Sequence, residues 1–359
     1  RVYVMKGEPP KSSYNFRDGY WIKEDRWPSK ASKNKKLYLS SKNVLSLSKK
    51  KNKCQLGVID SPQHCGLKGG EYCAIWLGPE LPGDQRLDDA FSLCFDTNDL
   101  ILEEDIVGSP ELTITLEANS PNGQLAVRLC DVYPDGKSSR ITYGILNLRF
   151  RDSFDSPKDI PIAKEFTVKV TLDHIAYKLP RGNKLRLSLA NAYWPLVWPV
   201  FNPAKLVVKE GYLSLPLRRQ GKKSDEWIFP KAVASKPWRG KEIRKPHNKR
   251  QILFDEATEV VLLEIEDDFG SYKDLQNKLV ISSSAREKWS INPNDPLSAK
   301  GETHWTEERS REGWSIRTDT FSSMTSDKSY FYLKARVEAY EKAKLIFTKR
   351  MESKIKRTL

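Results

Sequence analysis

Apolar and polar side chains alternate with period two along most of this chain, and Gly-, Pro-, Asn- and Asp-bearing turns interrupt them at intervals of about ten residues. A side chain on a strand points to the opposite face from its neighbours, so Glu111 to Leu116, Phe166 to Leu172, Lys184 to Ala190 and Phe331 to Ala339 each read as a strand with one buried face. Turns at Ser40 to Asn43 and Pro134 to Gly136 predict hairpins joining Leu37–Leu39 to Val44–Leu47 and Leu125–Cys130 to Ile141–Phe150. Phe91–Phe95, Val260–Ile265, Lys278–Ile281, Gly313–Thr318 and Leu345–Phe347 add further strands, and Gly57 to Gly70 is rich in turn residues. A possible turn of helix near Tyr272 to Lys278 is the one exception to a strand pattern that carries no helical stripe.

Short strands at this spacing predict an all-β architecture, an antiparallel sandwich or jelly roll, and disfavour a parallel sheet with crossover helices. Residues 218 to 250 hold a basic run together with Pro230, Pro237 and Pro246, each of which removes a ladder donor. They read as a linker between a unit at 1–217 and an antiparallel β extension at 251–359. With 38% hydrophobic residues the 359-residue chain can bury a sizeable core, and no apolar run reaches the roughly 18 residues a membrane helix needs. Its first methionine is Met5, inside an apolar stretch, which suggests a piece of a longer polypeptide.

The formal charge is +14, and the basic residues cluster at Lys33–Lys36, Lys49–Lys53 and Arg239–Arg250 within loop-like segments. A solvated surface accounts for them better than a nucleic-acid partner does. Five cysteines, an odd number without a CxxC pair, read as reduced thiols in a cytoplasmic protein. Only His64 beside Cys65 resembles a fragment of a zinc set, so neither metal nor another cofactor is expected.

Hydrolytic chemistry needs a serine on a tight elbow, a histidine base and an orienting acid. Gly136–Arg140 and Gly313–Arg317 carry the first Gly and the Ser of G-x-S-x-G, but each ends in Arg. No phosphate-binding or dinucleotide-binding glycine motif occurs. The carboxylate pairs Asp88–Asp89, Glu103–Asp105 and Glu266–Asp268 lack a calcium-loop pattern and read as solvated turns. The densest aromatic run, Tyr193 to Pro199, is expected to plug one end of the sandwich or to meet another domain.

The order Asp84-Gln85-Arg86, Asp88-Asp89, Gln124 to Val132, Pro134-Asp135-Gly136, Arg140 to Gly144, Asp173 to Tyr177 and Asn191 to Pro199 resembles the carboxy-terminal part of CocE/NonD family hydrolases. These are related to X-Pro dipeptidyl-peptidases, cocaine esterase and α-amino-acid ester hydrolases. The likeness continues through Tyr272, Trp289, Asp295 to Ala299 and Thr325 to Asp327. It implies a galactose-binding-like jelly roll that packs on an α/β-hydrolase domain, and that partner domain carries the Ser, Asp and His of the triad. No catalytic residue is therefore assigned in this chain, and His174 falls within the jelly roll.

In this family a jelly-roll loop helps wall the substrate pocket, and by order along the chain the loop is Gly69 to Trp76, with Tyr72, Cys73 and Trp76 as the wall. Tyr193, Trp194 and Trp198 are the expected domain interface. The resemblance thus implies a non-catalytic region that completes the pocket and stabilises the catalytic half, with a homo-oligomer as a further possibility. A free-standing carbohydrate- or polyanion-binding module is the alternative, and a chain expressed without its catalytic half is a third reading.

Overall fold

A computed structural model describes residues 1–49, 55–74, 79–98, 104–219 and 227–357. The chain divides into two compact units, one comprising Arg1–Glu71 with Leu81–Lys231 and the other Tyr72–Glu80 with Ala232–Thr358. Both are built on β-sheets, as the period-two pattern predicts.

The described strands of the first unit are β1 (Val2–Lys6), β2 (Gly19–Ile22), β3 (Ser32–Ser40), β4 (Val44–Ser46) and β5 (Gly57–Ile59), followed by a short helix α1 (Arg86–Ala90). The chain continues with β6 (Leu93–Thr97), β7 (Asp105–Gly108), β8 (Glu111–Ala118), β9 (Gln124–Val132) and β10 (Ser138–Asn147). It then runs through β11 (Glu165–Thr171), β12 (Ile175–Lys178), β13 (Lys184–Ala190) and β14 (Leu206–Arg218). They pair in the order β10-β9-β13-β6-β4-β3-β14-β7-β12-β1-β2, with β8 lying between β14 and β11.

The long strand β14 holds β5 and β3 along one edge and β8 and β7 along the other. A register shift between Val208 and Glu210 resets its parity. Leu206 and Val208 before the shift and Leu213, Leu215 and Leu217 after it therefore all reach the same core. Facing them in that core are Leu112, Ile114 and Leu116 of β8, Val168 and Val170 of β11, Leu125, Val127 and Leu129 of β9, and Leu185, Leu187 and Leu189 of β13. Each such aliphatic side chain stabilises the unit by roughly 1.5–3 kcal/mol relative to an exposed position.

One expectation fails here in an informative way. Alternation assigns one buried face to β13, yet its second face is buried from Ser188 onward, and its neighbour β9 is buried on both faces throughout. The second face of β9 carries Arg128, which reads as a solvent-facing residue in sequence but is fully buried.

The second unit is an eight-stranded antiparallel sheet. Its strands are β15 (Gly240–Arg244), β16 (His247–Asp255), β17 (Val260–Asp274), β18 (Val280–Asn292), β19 (Asp295–Arg311), β20 (Trp314–Ser326), β21 (Tyr330–Glu341) and β22 (Lys344–Lys356). β15 and the start of β16 fall inside the proline-bearing stretch 218–250, where the prolines flank the strands rather than interrupt them. Tyr272 to Asp274 complete β17, so the turn that follows replaces the expected helical turn. β17 to β22 form a meander in which Val261, Leu263 and Ile265 of β17 and Ala285 and Ile291 of β18 are buried. Among the described residues no helix is long and apolar enough to cross a membrane.

Candidate functional site

Asp88 and Asp89, adjacent carboxylates expected in a solvated turn, are instead buried at the centre of the first unit. On an extended strand they would point to opposite faces, but α1 turns them toward a common polar cluster. Asp88 accepts from the backbone N–H groups of Gly66 and Lys68, both at 3.0 Å. Asp89 accepts from the hydroxyls of Ser138 (2.8 Å) and Ser188 (2.7 Å), and ion-pairs with Arg128 and Arg186, both at 3.2 Å. The Arg128 guanidinium also donates to Gln85 Oε1 (2.9 Å) and Ser92 Oγ (2.8 Å), while Arg186 forks onto Asp96 through two contacts of 2.7 Å. Burial pushes the Asp88 carboxyl above its usual range, against the opposing pull of Arg128 and the two backbone donors.

This cluster also ties Lys68 to Gly83. Gln85 donates through one amide nitrogen to the carbonyls of Lys68 (2.7 Å) and Gly83 (2.8 Å), and Gly83 N–H donates to Lys68 O at 3.0 Å. Gly69 N–H donates to Gly66 O at 2.8 Å. Tyr72, which falls in the second unit, is 84% exposed, and Cys73 is exposed as well. Trp76, the third residue of the expected pocket wall, lies outside the described residues. Burial pushes the thiols of Cys65 and Cys94 up to about 12 and about 11.

The aromatic run divides into buried and partly exposed rings. Tyr193 and Trp194 are buried, with Trp194 N–H donating to Cys65 O at 2.7 Å and the Tyr193 hydroxyl accepting from Arg140 at 2.6 Å. Trp198 packs edge-on against Trp194 at 5.4 Å between ring centroids and keeps part of its surface open. Of the three residues expected at an interface, it is the one that retains a face for a partner.

Ser109 Oγ lies 2.8 Å from His174 Nδ1, but no described carboxylate pairs with that imidazole to orient it. In the second unit His304 Nε2 sits 3.1 Å from Asp319, and Thr306 Oγ1 lies 3.4 Å from the same imidazole nitrogen but donates its proton to the carboxylate at 2.7 Å, so the acid and the hydroxyl share one ring nitrogen instead of standing on opposite sides of the base. Neither grouping is a triad, and among the described residues no cluster of His, Cys, Asp or Glu could hold a metal ion.

The second unit also has a concavity of about 580 Å³ lined by Arg286, Lys288, Lys334, Arg336 and Arg350. Four of these cations face a carboxylate: Arg286 with Glu266 (3.4 Å), Lys288 with Glu264 (3.6 Å), Lys334 with Glu352 (3.9 Å) and Arg336 with Glu338 (3.3 Å). The pairing offsets the positive field that a polyanion-binding module would need. Sequence reasoning missed the buried cluster: Gln85, Asp88, Asp89 and Ser92 stand close together, but Arg128 lies 36 residues further on and nothing local links it to them.

Comparison with known proteins accords with a β domain of this kind. The family of the X-Pro dipeptidyl-peptidase C-terminal non-catalytic domain matches residues 1–227. Cocaine esterase from Rhodococcus sp. (strain MB1 Bresler) is 22% identical over 122 residues, which is 33% of this chain and 21% of the esterase. An aminopeptidase from a marine sediment archaeon, Thaumarchaeota archaeon, aligns with 57% of this chain and 39% of its own at a TM-score of 0.47 and 17% identity. An α-amino acid ester hydrolase covers 52% of this chain and 36% of its own, at a TM-score of 0.44 and 19% identity. A CocE/NonD family hydrolase from Staphylococcus aureus covers 58% of this chain and 40% of its own, at 0.42 and 10%. The chain spans less than half the length of each of these relatives. Since the matched residues 1–227 are more than half of its length, the chain belongs to the X-Pro dipeptidyl-peptidase C-terminal non-catalytic domain family, the β-rich domain found in CocE/NonD-type hydrolases.

Proposed function

We propose that the first unit is the jelly-roll component of a serine hydrolase of Xaa-Pro dipeptidyl-peptidase or acyl ester hydrolase type, where it completes the substrate pocket of an α/β-hydrolase domain and stabilises that domain. The observation that carries this reading is the family match over residues 1–227, and Tyr72, 84% exposed, supports the pocket-wall part of it. The partly exposed Trp198 is the contact proposed toward the catalytic domain, with buried Tyr193 and Trp194 supporting it from beneath.

The test is made in a polypeptide that carries the catalytic domain together with this chain. Tyr72→Ala is expected to change the ratio of kcat/KM values between small and bulky acyl groups by about tenfold, a size typical of losing one apolar pocket contact. Equal kcat/KM ratios across the acyl series in parent and variant would overturn the pocket-wall assignment.

A further inference from the structure

Four neighbouring strands of the first unit, β3, β14, β8 and β11, send Leu37, Leu213, Ile114 and Val168 into the core and turn their other face outward. β3, β14 and β8 are each paired on both sides, so this face is the interior of a sheet and not an edge. It holds a cavity of about 160 Å³. Two cross-strand rows line it: Tyr38, Tyr212 and Thr113 stand opposite one another in the first, and Glu210, Thr115 and Thr167 in the second. Gly211 follows the register shift of β14 and lines the cavity without a side chain to fill it. Bulges and strand glycines recur where a ligand approaches a sheet closely.

The half-buried rings of Tyr38 and Tyr212 have centroids 6.0 Å apart and planes at 55°. Lys36, which is not part of the lining, sets its ammonium 4.1 Å from the Tyr212 centroid and braces that ring. In the second row the hydroxyls of Thr115 and Thr167 lie 2.9 Å apart, and two hydroxyls bonded to each other keep one donor and several acceptor positions for a further partner. Lys49 Nζ is 3.5 Å from the Glu210 carboxylate, so the one cation and the one anion of the lining offset each other.

We propose that this cavity is a subsite for a single neutral sugar ring, which rests a C–H face on the tyrosines and bonds Glu210, Thr115 and Thr167 through its hydroxyls. The lining selects that chemistry. Balanced charge gives no advantage to an anion or a cation. The ring pair asks for an apolar face on the ligand, and the carboxylate and hydroxyls ask for several donors and acceptors around its rim. A pyranose meets both demands at once. The volume is also about half the roughly 300 Å³ at which sites for drug-sized ligands begin, which admits one ring and not a longer chain. None of these residues belongs to the proposed pocket wall or domain contact, so the inference goes beyond that reading.

The experiment is saturation-transfer NMR on the 359-residue chain, with the methyl glycosides of glucose, galactose, mannose and N-acetylglucosamine as probes and titration of those that respond. At least one is expected to bind with a millimolar Kd, the range open to a ligand of about a dozen heavy atoms. Tyr212→Ala removes a stacking ring and should weaken binding about tenfold. Thr167→Val removes a hydroxyl at an exposed position while keeping its shape, and should weaken binding about threefold with an unchanged denaturation midpoint. Absence of binding by all four glycosides overturns the proposal. Binding that survives both substitutions lies elsewhere and overturns it as well. A response to the zwitterion glycylproline but to no glycoside would show that the Lys49–Glu210 pair opens for a charged ligand, which overturns the sugar assignment.

Discussion

Arg128→Met is expected to lower the stability of the first unit by about 3–5 kcal/mol, read as a fall in the midpoint of chemical denaturation. The loss does not arise from the ion pair being strongly stabilising in itself, since taking two charges out of water costs nearly as much as their attraction returns. It arises because Asp89, at 6% exposure, is left with one guanidinium where it had two, and because Gln85 and Ser92 lose a shared donor in a buried setting. Gln85 also holds the carbonyls of Lys68 and Gly83, so the effect should reach both residues. Hydrogen exchange at the amides of Gly66 and Lys68 would therefore quicken in the variant. Lys6→Met, which removes an exposed partner of Asp18, serves as the control and should change stability by less than about 1 kcal/mol. Equal effects from the two substitutions would contradict the assignment of Arg128 as a keystone of the cluster.

Gly66→Ala is expected to destabilise by about 3 kcal/mol or more, from two causes that a second glycine separates. Gly66 has φ of +116°, a conformation that L side chains rarely adopt, and a Cβ built on it would lie 2.7 Å from the Trp194 carbonyl oxygen and 2.8 Å from its nitrogen. Those obstacles are backbone atoms in a segment that is itself buried, so they cannot swing aside as the end of a flexible side chain could. Gly136 also has positive φ, +85°, but nothing lies within 4 Å of its missing Cβ. Gly136→Ala should consequently cost only the conformational penalty, roughly 1–2 kcal/mol. The difference between the two variants, measured by denaturant titration, reports the close approach of the Gly66 loop to the Trp194 backbone. Matching losses would mean that the loop relaxes and is not tightly seated.

Local alternation was enough to find β8, β11 and β21 and the two hairpins at β3–β4 and β9–β10, because each of those strands sets apolar against polar residues along its length. Period two cannot say what covers the polar face, and this is why the burial of Arg128 on β9 and of Ser188 on β13 was invisible. α1 escaped notice because a helix of five residues is too short to show a stripe, and two of those five are the aspartates that read as a turn. β15 and β16 were hidden by composition, with prolines at their borders outweighing the short runs between them. At the candidate site Tyr72 is exposed, and its part in a pocket wall stays an expectation. The order along the chain could not foresee that Tyr193 and Trp194 turn inward against Cys65 while Trp198 alone keeps an open face, since all three carry similar apolar surface in sequence.

The central claim is that this chain contributes a non-catalytic β domain to a hydrolase whose chemistry resides in another domain. The most direct measurement is hydrolysis of a chromogenic Xaa-Pro amide and a short-chain ester, by this chain alone and by a polypeptide that joins it to an α/β-hydrolase domain. The account predicts no turnover above background by the chain alone, in keeping with Ser109–His174 lacking an acid among the described residues, and turnover by the joined polypeptide. Turnover by the chain alone, abolished by Ser109→Ala or His174→Ala, would contradict it.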